Sequence, residues 1–238
     1  MAIPVHHITC TRKEEIARDV YDIRFSKPDG FAFKPGQFVL FDVPLVENAE
    51  DIQTRAFSLA STPAESELIV VAKMKEGGRA SRWIEEILEV GTPVAMKGPF
   101  GNFKLDTQTD KDYLFVATST GVGPFRPMIL EALERGDTRR MDLIFGVRNE
   151  EDLFWQKEFE AMSKKYENFF LHIALSGPSA SWTGHKGRVQ TLMPHVAKEF
   201  FNKNIYVCGS PDMTKDLKKL CLEDWGVQKQ DLHVEGYI

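Results

Sequence analysis

A chain of 238 residues with 42% hydrophobic and 27% charged side chains can build one large domain or two modest ones, each with its own core. Its 30 Lys and Arg against 35 Asp and Glu give a formal charge of -5, which argues against nucleic acid as a main partner and leaves room only for a small basic patch that docks an acidic protein. Cys10, Cys208 and Cys221 are odd in number, far apart and never in a Cys-x-x-Cys pair, so neither a disulfide framework nor a metal or iron–sulfur cage is expected.

The start, Met1-Ala-Ile-Pro-Val-His-His7, lacks a charged segment followed by an apolar one, and no later run approaches membrane-spanning length. The expected location is cytoplasmic, with no membrane span. From Val5 to about Leu105 short β runs lie between turn residues. Tyr21, Ile23 and Phe25 alternate with Asp22 and Arg24; Phe38, Leu40 and Val43 follow the turn Lys34-Pro-Gly-Gln37; residues 68–72 form a buried-type run. Strands at this spacing predict a small antiparallel β-barrel over residues 1–106. One helix interrupts it, opening near Ser81 and burying Trp83, Ile84, Ile87 and Leu88, and its approach, Glu76-Gly-Gly-Arg-Ala-Ser81, reads as a glycine loop leading into a helix start.

After the polar stretch 106–112 the pattern changes. Strands at 113–117, 141–146, 169–175, 205–208 and 232–237 alternate with helices at 127–135, 151–166, 188–201 and 213–225. That is the grammar of a doubly wound parallel sheet over 112–238, whose ligands sit at the carboxyl ends of strands. Thr118-Ser-Thr-Gly-Val-Gly-Pro124 follows the apolar strand Leu114-Phe-Val-Ala117 and precedes a helical segment. Gly121 and Gly123 let backbone approach a pyrophosphate, and the helix start supplies free N–H groups. Arg55-Ala-Phe-Ser-Leu-Ala-Ser61 offers a cation, an aromatic and a hydroxyl in one β segment; without a bulge, Arg55 and Phe57 share one face and Ser58 takes the other. Val207-Cys-Gly-Ser-Pro-Asp-Met213 puts Cys208 at a strand end, as a small core residue or as a neighbour of a nucleotide.

These motifs, with Pro35-Gly-Gln-Phe38, Gly98-Pro-Phe-Gly-Asn-Phe103, Phe145-Gly-Val-Arg148 and Trp182-x-Gly-x-x-Gly187, resemble the ferredoxin–NADP reductase family of two-domain flavoproteins, in particular the cluster-free bacterial-type reductases. The resemblance implies a Greek-key FAD-binding barrel followed by an NAD(P)-binding α/β domain. It implies that Arg55 binds flavin phosphate, that Ala56 and Phe57 pack by the flavin, that Ser58 stands at the flavin N5 atom, and that Lys73, Gly77, Gly78, Arg79, Ala80 and Ser81 complete the FAD site. Thr118, Thr120, Gly121, Gly123 and Pro124 would cradle the dinucleotide, with Arg148, Ser176, Gly209 and Met213 contributing. Cys208 would lie against the nicotinamide, Glu235 would be the carboxylate near Ser58 and Cys208, and Tyr237 the C-terminal aromatic that covers the flavin.

Three positions depart from the family pattern: Phe57 where Tyr is frequent, Ser119 where Gly is common, and Ile238 after the covering aromatic. Ser176-Gly177 stands where NADP-dependent relatives carry Ser-Arg, so NADH is expected over NADPH, although Lys186 and Arg188 are near in sequence. The implied activity is hydride transfer from NAD(P)H to FAD and release of single electrons to a separate protein such as a ferredoxin, a flavodoxin or an oxygenase component. The alternatives are a flavin reductase that uses free flavin as a substrate, and a non-catalytic electron-relay or nucleotide-sensing subunit. The acceptor, oligomeric state and pathway are not encoded in these motifs.

Overall fold

The computed structural model describes residues 3–237 and divides them into two compact units: residues up to 104 together with 123–131, and residues 105–122 together with those from 132 onward.

The first unit contains β1 (Val5–Ala17), β2 (Val20–Ser26), β3 (Phe38–Leu45), β4 (Asn48–Ser58), β5 (Glu67–Lys73), α1 (Arg79–Glu86) and β6 (Pro93–Phe100). Its strands pair antiparallel in the order β4-β3-β6-β1-β2-β5, and the edge strands β4 and β5 also touch, which curls the sheet toward a barrel. The late return of β6 to lie beside β1 is a Greek-key connection. Period two decides which apolar residues of β3 point inward: Val39, Phe41 and Val43 are fully buried, while Phe38 and Leu40 take the opposite face. The expected grouping of Phe38, Leu40 and Val43 therefore splits across the sheet. Phe41 meets Phe25 edge-on at 4.9 Å and stacks on Phe57 at 5.0 Å. Trp83 and Ile84 of α1, with Leu88 just beyond it, close this core. Each such side chain taken fully from water contributes roughly 1.5–3 kcal/mol.

The second unit contains β7 (Asp112–Thr118), β8 (Met141–Val147), α3 (Gln156–Lys165), β9 (Phe169–Leu175), β10 (His185–Lys186), α4 (Val189–Val196), β11 (Lys203–Gly209), α5 (Pro211–Lys219) and β12 (Leu232–Gly236). Helix α2 (Phe125–Glu134) runs from the first unit into the second. The sheet is wholly parallel, ordered β10-β9-β8-β7-β11-β12. Its direction of growth reverses between β7 and β11, which makes that pair the topological switch point. Strands β7, β8 and β11 are buried almost end to end, as a sheet covered on both faces requires. The polar stretch 106–112 is docked on this sheet: Asp106 N donates to Tyr206 Oη at 2.7 Å, and Tyr113 Oη donates to the Asp106 carbonyl at 2.9 Å.

Two helices are shorter than the sequence pattern predicts. Helix α3 begins at Gln156, not Glu151, because Asn149 and Asp152 close a separate capped turn and Trp155 takes a left-handed conformation (φ 52°). Helix α4 stops at Val196, two residues beyond an internal Pro194 that has no N–H to donate.

Candidate functional site

In the first unit the pairing Phe41↔Arg55, Val39↔Phe57 and Phe38↔Ser58 runs without a bulge, so Arg55 and Phe57 do share a face. Phe57 is 9% exposed, with its ring against Phe41 in the barrel core. Ala56 is exposed and Ser58, the last residue of β4, is half-buried. Among the described residues the Arg55 guanidinium bonds the Thr54 carbonyl at 2.9 Å and Gln53 Oε1 at 2.7 Å, both neutral. A half-buried cation held by neutral oxygens suits a phosphate.

Helix α1 opens at Gly78, which has no side chain to cap it, and its first turn holds no acidic residue. The amides of Arg79, Ala80 and Ser81 have no intrahelical acceptor, so this end is a ready anion site. Gly77 precedes it with φ 68°, a left-handed conformation that favours glycine. Ser81 is buried and its hydroxyl is spent on the loop, accepting from Lys75 N at 2.8 Å. Arg79 is committed to Asp51 of β4 through bonds of 3.0 and 3.2 Å to its carboxylate and 2.7 Å to its carbonyl, which holds the Asp51 carboxyl below its usual range. Lys73 donates to the Arg18 carbonyl and lies 3.8 Å from Asp19. Arg55 and the uncapped turn are each suited to a phosphate of an anionic dinucleotide such as FAD.

In the second unit β7 ends at Thr118 and a single tight turn, Ser119–Val122, follows. Gly121 faces the end of β11: a Cβ there would lie 2.6 Å from the Cys208 carbonyl carbon and 2.7 Å from Gly209 Cα, distances that no side chain tolerates. Thr118 Oγ1 accepts from Ser210 N at 3.2 Å. Parallel register sets Cys208 beside Ala117 on one side and Glu235 on the other. Tyr237 N donates to the Gly209 carbonyl at 3.0 Å, and the Tyr237 side chain hydrogen-bonds the Cys208 thiol. The structure thus gathers Thr118, Gly121, Cys208, Gly209, Glu235 and Tyr237 at the switch point. Cys208 is fully buried; burial first, and the Glu235 charge second, push its thiol far above the usual range and keep it protonated. Thr120 and Met213 are buried beside this group, Met213 in the first turn of α5 behind its Ser210 cap. Gly123 and Pro124 are buried and fall with the first unit.

Arg148 and Ser176 lie apart from that group, exposed at the ends of β8 and β9, where Ser176 N donates to the Val147 carbonyl at 3.1 Å and Gly177 N to the Arg148 carbonyl at 2.8 Å. Beside them is a shallow, open depression of about 520 Å³ lined by Asn149, Glu150, Glu151, Gly177, Pro178, Ser179 and Ser181. The Glu150 carboxylate accepts from the Ser179 hydroxyl and amide, and these bonds draw its carboxyl below the ordinary value. Glu150 lies in no motif read from the sequence; its signal is a carboxylate three residues beyond a parallel strand, near where ribose hydroxyls are commonly read.

The family model described as "Oxidoreductase FAD-binding domain" matches residues 7–105, and "Oxidoreductase NAD-binding domain" matches 115–219. The chain is 33% identical over 227 residues to ferredoxin--NADP reductase B of Sorangium cellulosum, covering 92% of this chain and 91% of that one. It is 34% identical over 195 residues to the phenol 2-monooxygenase reductase component DmpP of a Pseudomonas species, covering 80% of this chain and 53% of that longer protein. Among solved structures, the Amycolatopsis cytochrome P450 reductase GcoB superposes with a TM-score of 0.88 at 24% identity, over 99% of this chain and 71% of that one. A Neisseria gonorrhoeae ferredoxin NADP+ reductase with bound FAD and NADP gives 0.82 at 21%, over 98% of each. Similarity over nearly the whole length of a relative, on a scaffold with an anion-ready barrel helix and a glycine turn at the switch point of a parallel sheet, makes the chain a member of the ferredoxin–NADP reductase family, an NAD(P)H-dependent flavoprotein reductase.

Proposed function

We propose that this reductase holds FAD on its first unit, takes NADH in preference to NADPH on its second, and serves a separate one-electron carrier of the ferredoxin, flavodoxin or oxygenase-component class. FAD, when bound, would supply the redox chemistry, which couples a two-electron donor to a one-electron acceptor. The chain's own residues bind, align and exclude water. Arg55 neutralises a flavin phosphate and the amides at the start of α1 receive the pyrophosphate. The Ser58 hydroxyl would hold or move a proton at the flavin N5 position. The turn from Thr118 lets the dinucleotide pyrophosphate approach backbone directly. Cys208, held as a thiol, supplies a small uncharged wall for the nicotinamide ring and is no nucleophile. Tyr237 hydrogen-bonds that thiol, so access to it requires the tyrosine side chain to move.

The observation that carries the cofactor preference is the depression beside Ser176 and Gly177. A 2′-phosphate is a dianion and needs Arg or Lys beside the adenosine ribose, whereas a ribose diol is met by a carboxylate. Glu150, fixed by Ser179 and drawn toward the ionised form by those bonds and by the Lys186 charge, supplies the second; Lys186 and the exposed Arg148 at the same strand ends are the cations that would answer a 2′-phosphate, so the carboxylate's bonds to the ribose diol decide the preference. The test is anaerobic stopped-flow reduction of FAD-loaded, desalted protein with each nucleotide. Retained FAD reduced at lower NADH than NADPH concentrations supports the reading. A preference for NADPH overturns it, and loss of flavin on desalting favours use of flavin as a substrate.

A further inference from the structure

We propose that Arg126 is a positioning residue for flavin reduction: it fixes the turn that follows Ser58, and through that turn sets where the Ser58 hydroxyl stands. The inference rests on the role given to Ser58 above. Arg126 lies in the first turn of α2, within the segment 123–131 that belongs to the first unit, and is 9% exposed. Its Nη1 donates to the Ala60 carbonyl at 2.8 Å, and its two Nη atoms grip the Glu65 carboxylate at 3.0 Å each. Glu65 Oε2 in turn accepts from Thr62 N at 2.6 Å. The other side of the turn is tied to β5: Ala60 N donates to the Ile69 carbonyl at 2.8 Å, and Ile69 N to Ser61 Oγ at 3.1 Å. One planar fork therefore reaches both ends of the turn, two residues past Ser58 and again at Glu65.

A buried ion pair is a poor source of net stability, because desolvation of both charges offsets their attraction and a well-packed apolar pair serves as well. What the fork provides is direction: a bidentate contact with a third bond fixes a guanidinium in one pose, which an apolar contact cannot do. Burial pushes the Glu65 carboxyl up, yet the Arg126 bonds prevail and hold it below its ordinary range, so the pair is ionised and strained only in hydration. Beyond the electrostatics, Arg126 follows closely in the chain on the glycine turn.

The test uses FAD-loaded full-length Arg126→Lys, which keeps the charge and loses the fork, and Glu65→Gln, which keeps the shape and loses the ion pair. Amide hydrogen exchange at 59–65, measured on the FAD-loaded protein without NADH, is expected to rise about tenfold or more while the rest of the barrel is unchanged. The saturated rate of flavin reduction by NADH is expected to fall by about tenfold or more, as a misplacement below 1 Å suffices to cause, with half-saturating NADH and FAD content within about twofold. The double variant should be little slower than the slower single one. Unchanged saturated rates, or unchanged exchange at 59–65, overturn the proposal. So does insolubility of both variants, which would make the pair merely structural. A wild-type protein that binds no FAD or is not reduced instead refutes the flavin reading on which this rests, and that result is seen before any variant is made.

Discussion

Gly121→Ala should damage nicotinamide use far more than flavin binding. The added methyl would lie 2.6 Å from the Cys208 carbonyl carbon and 2.7 Å from Gly209 Cα, where ordinary contact begins at 3.4 Å. Both obstacles are backbone at the end of a fully buried strand, so no rotamer change relieves them. The Cys208 carbonyl oxygen stands closer still, so the turn and the strand end must separate by more than about 0.8 Å, and forced overpacking of this kind costs about 1–3 kcal/mol of stability. The same shift moves Thr118 and Cys208 apart, and misplacement approaching 1 Å lowers a rate by up to about a hundredfold. Urea unfolding followed by tryptophan fluorescence reads the first effect, and kcat/KM for NADH with ferricyanide as acceptor reads the second. FAD content should stay within about twofold, since the flavin groups lie in the other unit. A variant with wild-type stability and wild-type kcat/KM for NADH would refute the close approach of turn and strand.

Other outcomes follow from the same geometry. Ser119 holds φ 50°, a left-handed conformation that costs a side-chain-bearing residue about 1–2 kcal/mol, so Ser119→Gly should raise stability by roughly 1 kcal/mol in chemical denaturation. The Cys208 thiol is raised above its ordinary 9.0 when folded, so the stability present below that pH is lost as pH rises past it; Cys208→Ala should flatten that alkaline decline in unfolding midpoints. Burial raises the Glu65 carboxyl, but Arg126 brings it below its ordinary 4.5, so its contribution is present above that pH and fades below it; Glu65→Gln should blunt the acid loss while lowering stability near neutrality. Replacing Glu150 with Gln should narrow the NADH-over-NADPH preference in kcat/KM by about tenfold, which steady-state kinetics with both nucleotides will show.

Much of the architecture was legible because it is written in local periodicity. The buried runs at Tyr113, Met141, Phe169 and Ile205 are parallel strands, and the change of grammar after Leu105 separates an antiparallel sheet from a parallel one. Helix ends were less legible. Asn149 with Asp152, and Trp155 at positive φ, break what reads as one helix, and Pro194 shortens another. At the sites, Thr118, Gly121 and Cys208 could be read from strand-end position, but their meeting with Glu235 and Tyr237 depends on parallel register across β11 and β12, which no short motif states. Arg79, counted among the FAD-site residues, is bound to Asp51, a partner 28 residues away that its motif does not contain. Arg126 and Glu65, 61 residues apart, belong to no shared motif, and only the fold joins them.

The account depends on electrons passing from nicotinamide to a flavin held by this same chain. Anaerobic mixing of the FAD-loaded, desalted protein with NADH, unlabelled or deuterated at the transferred position, measures that step directly. Bleaching of the flavin absorbance in a single turnover, slowed by the deuterium, is the expected result; flavin that stays oxidised in the presence of excess NADH would refute electron transfer within this chain.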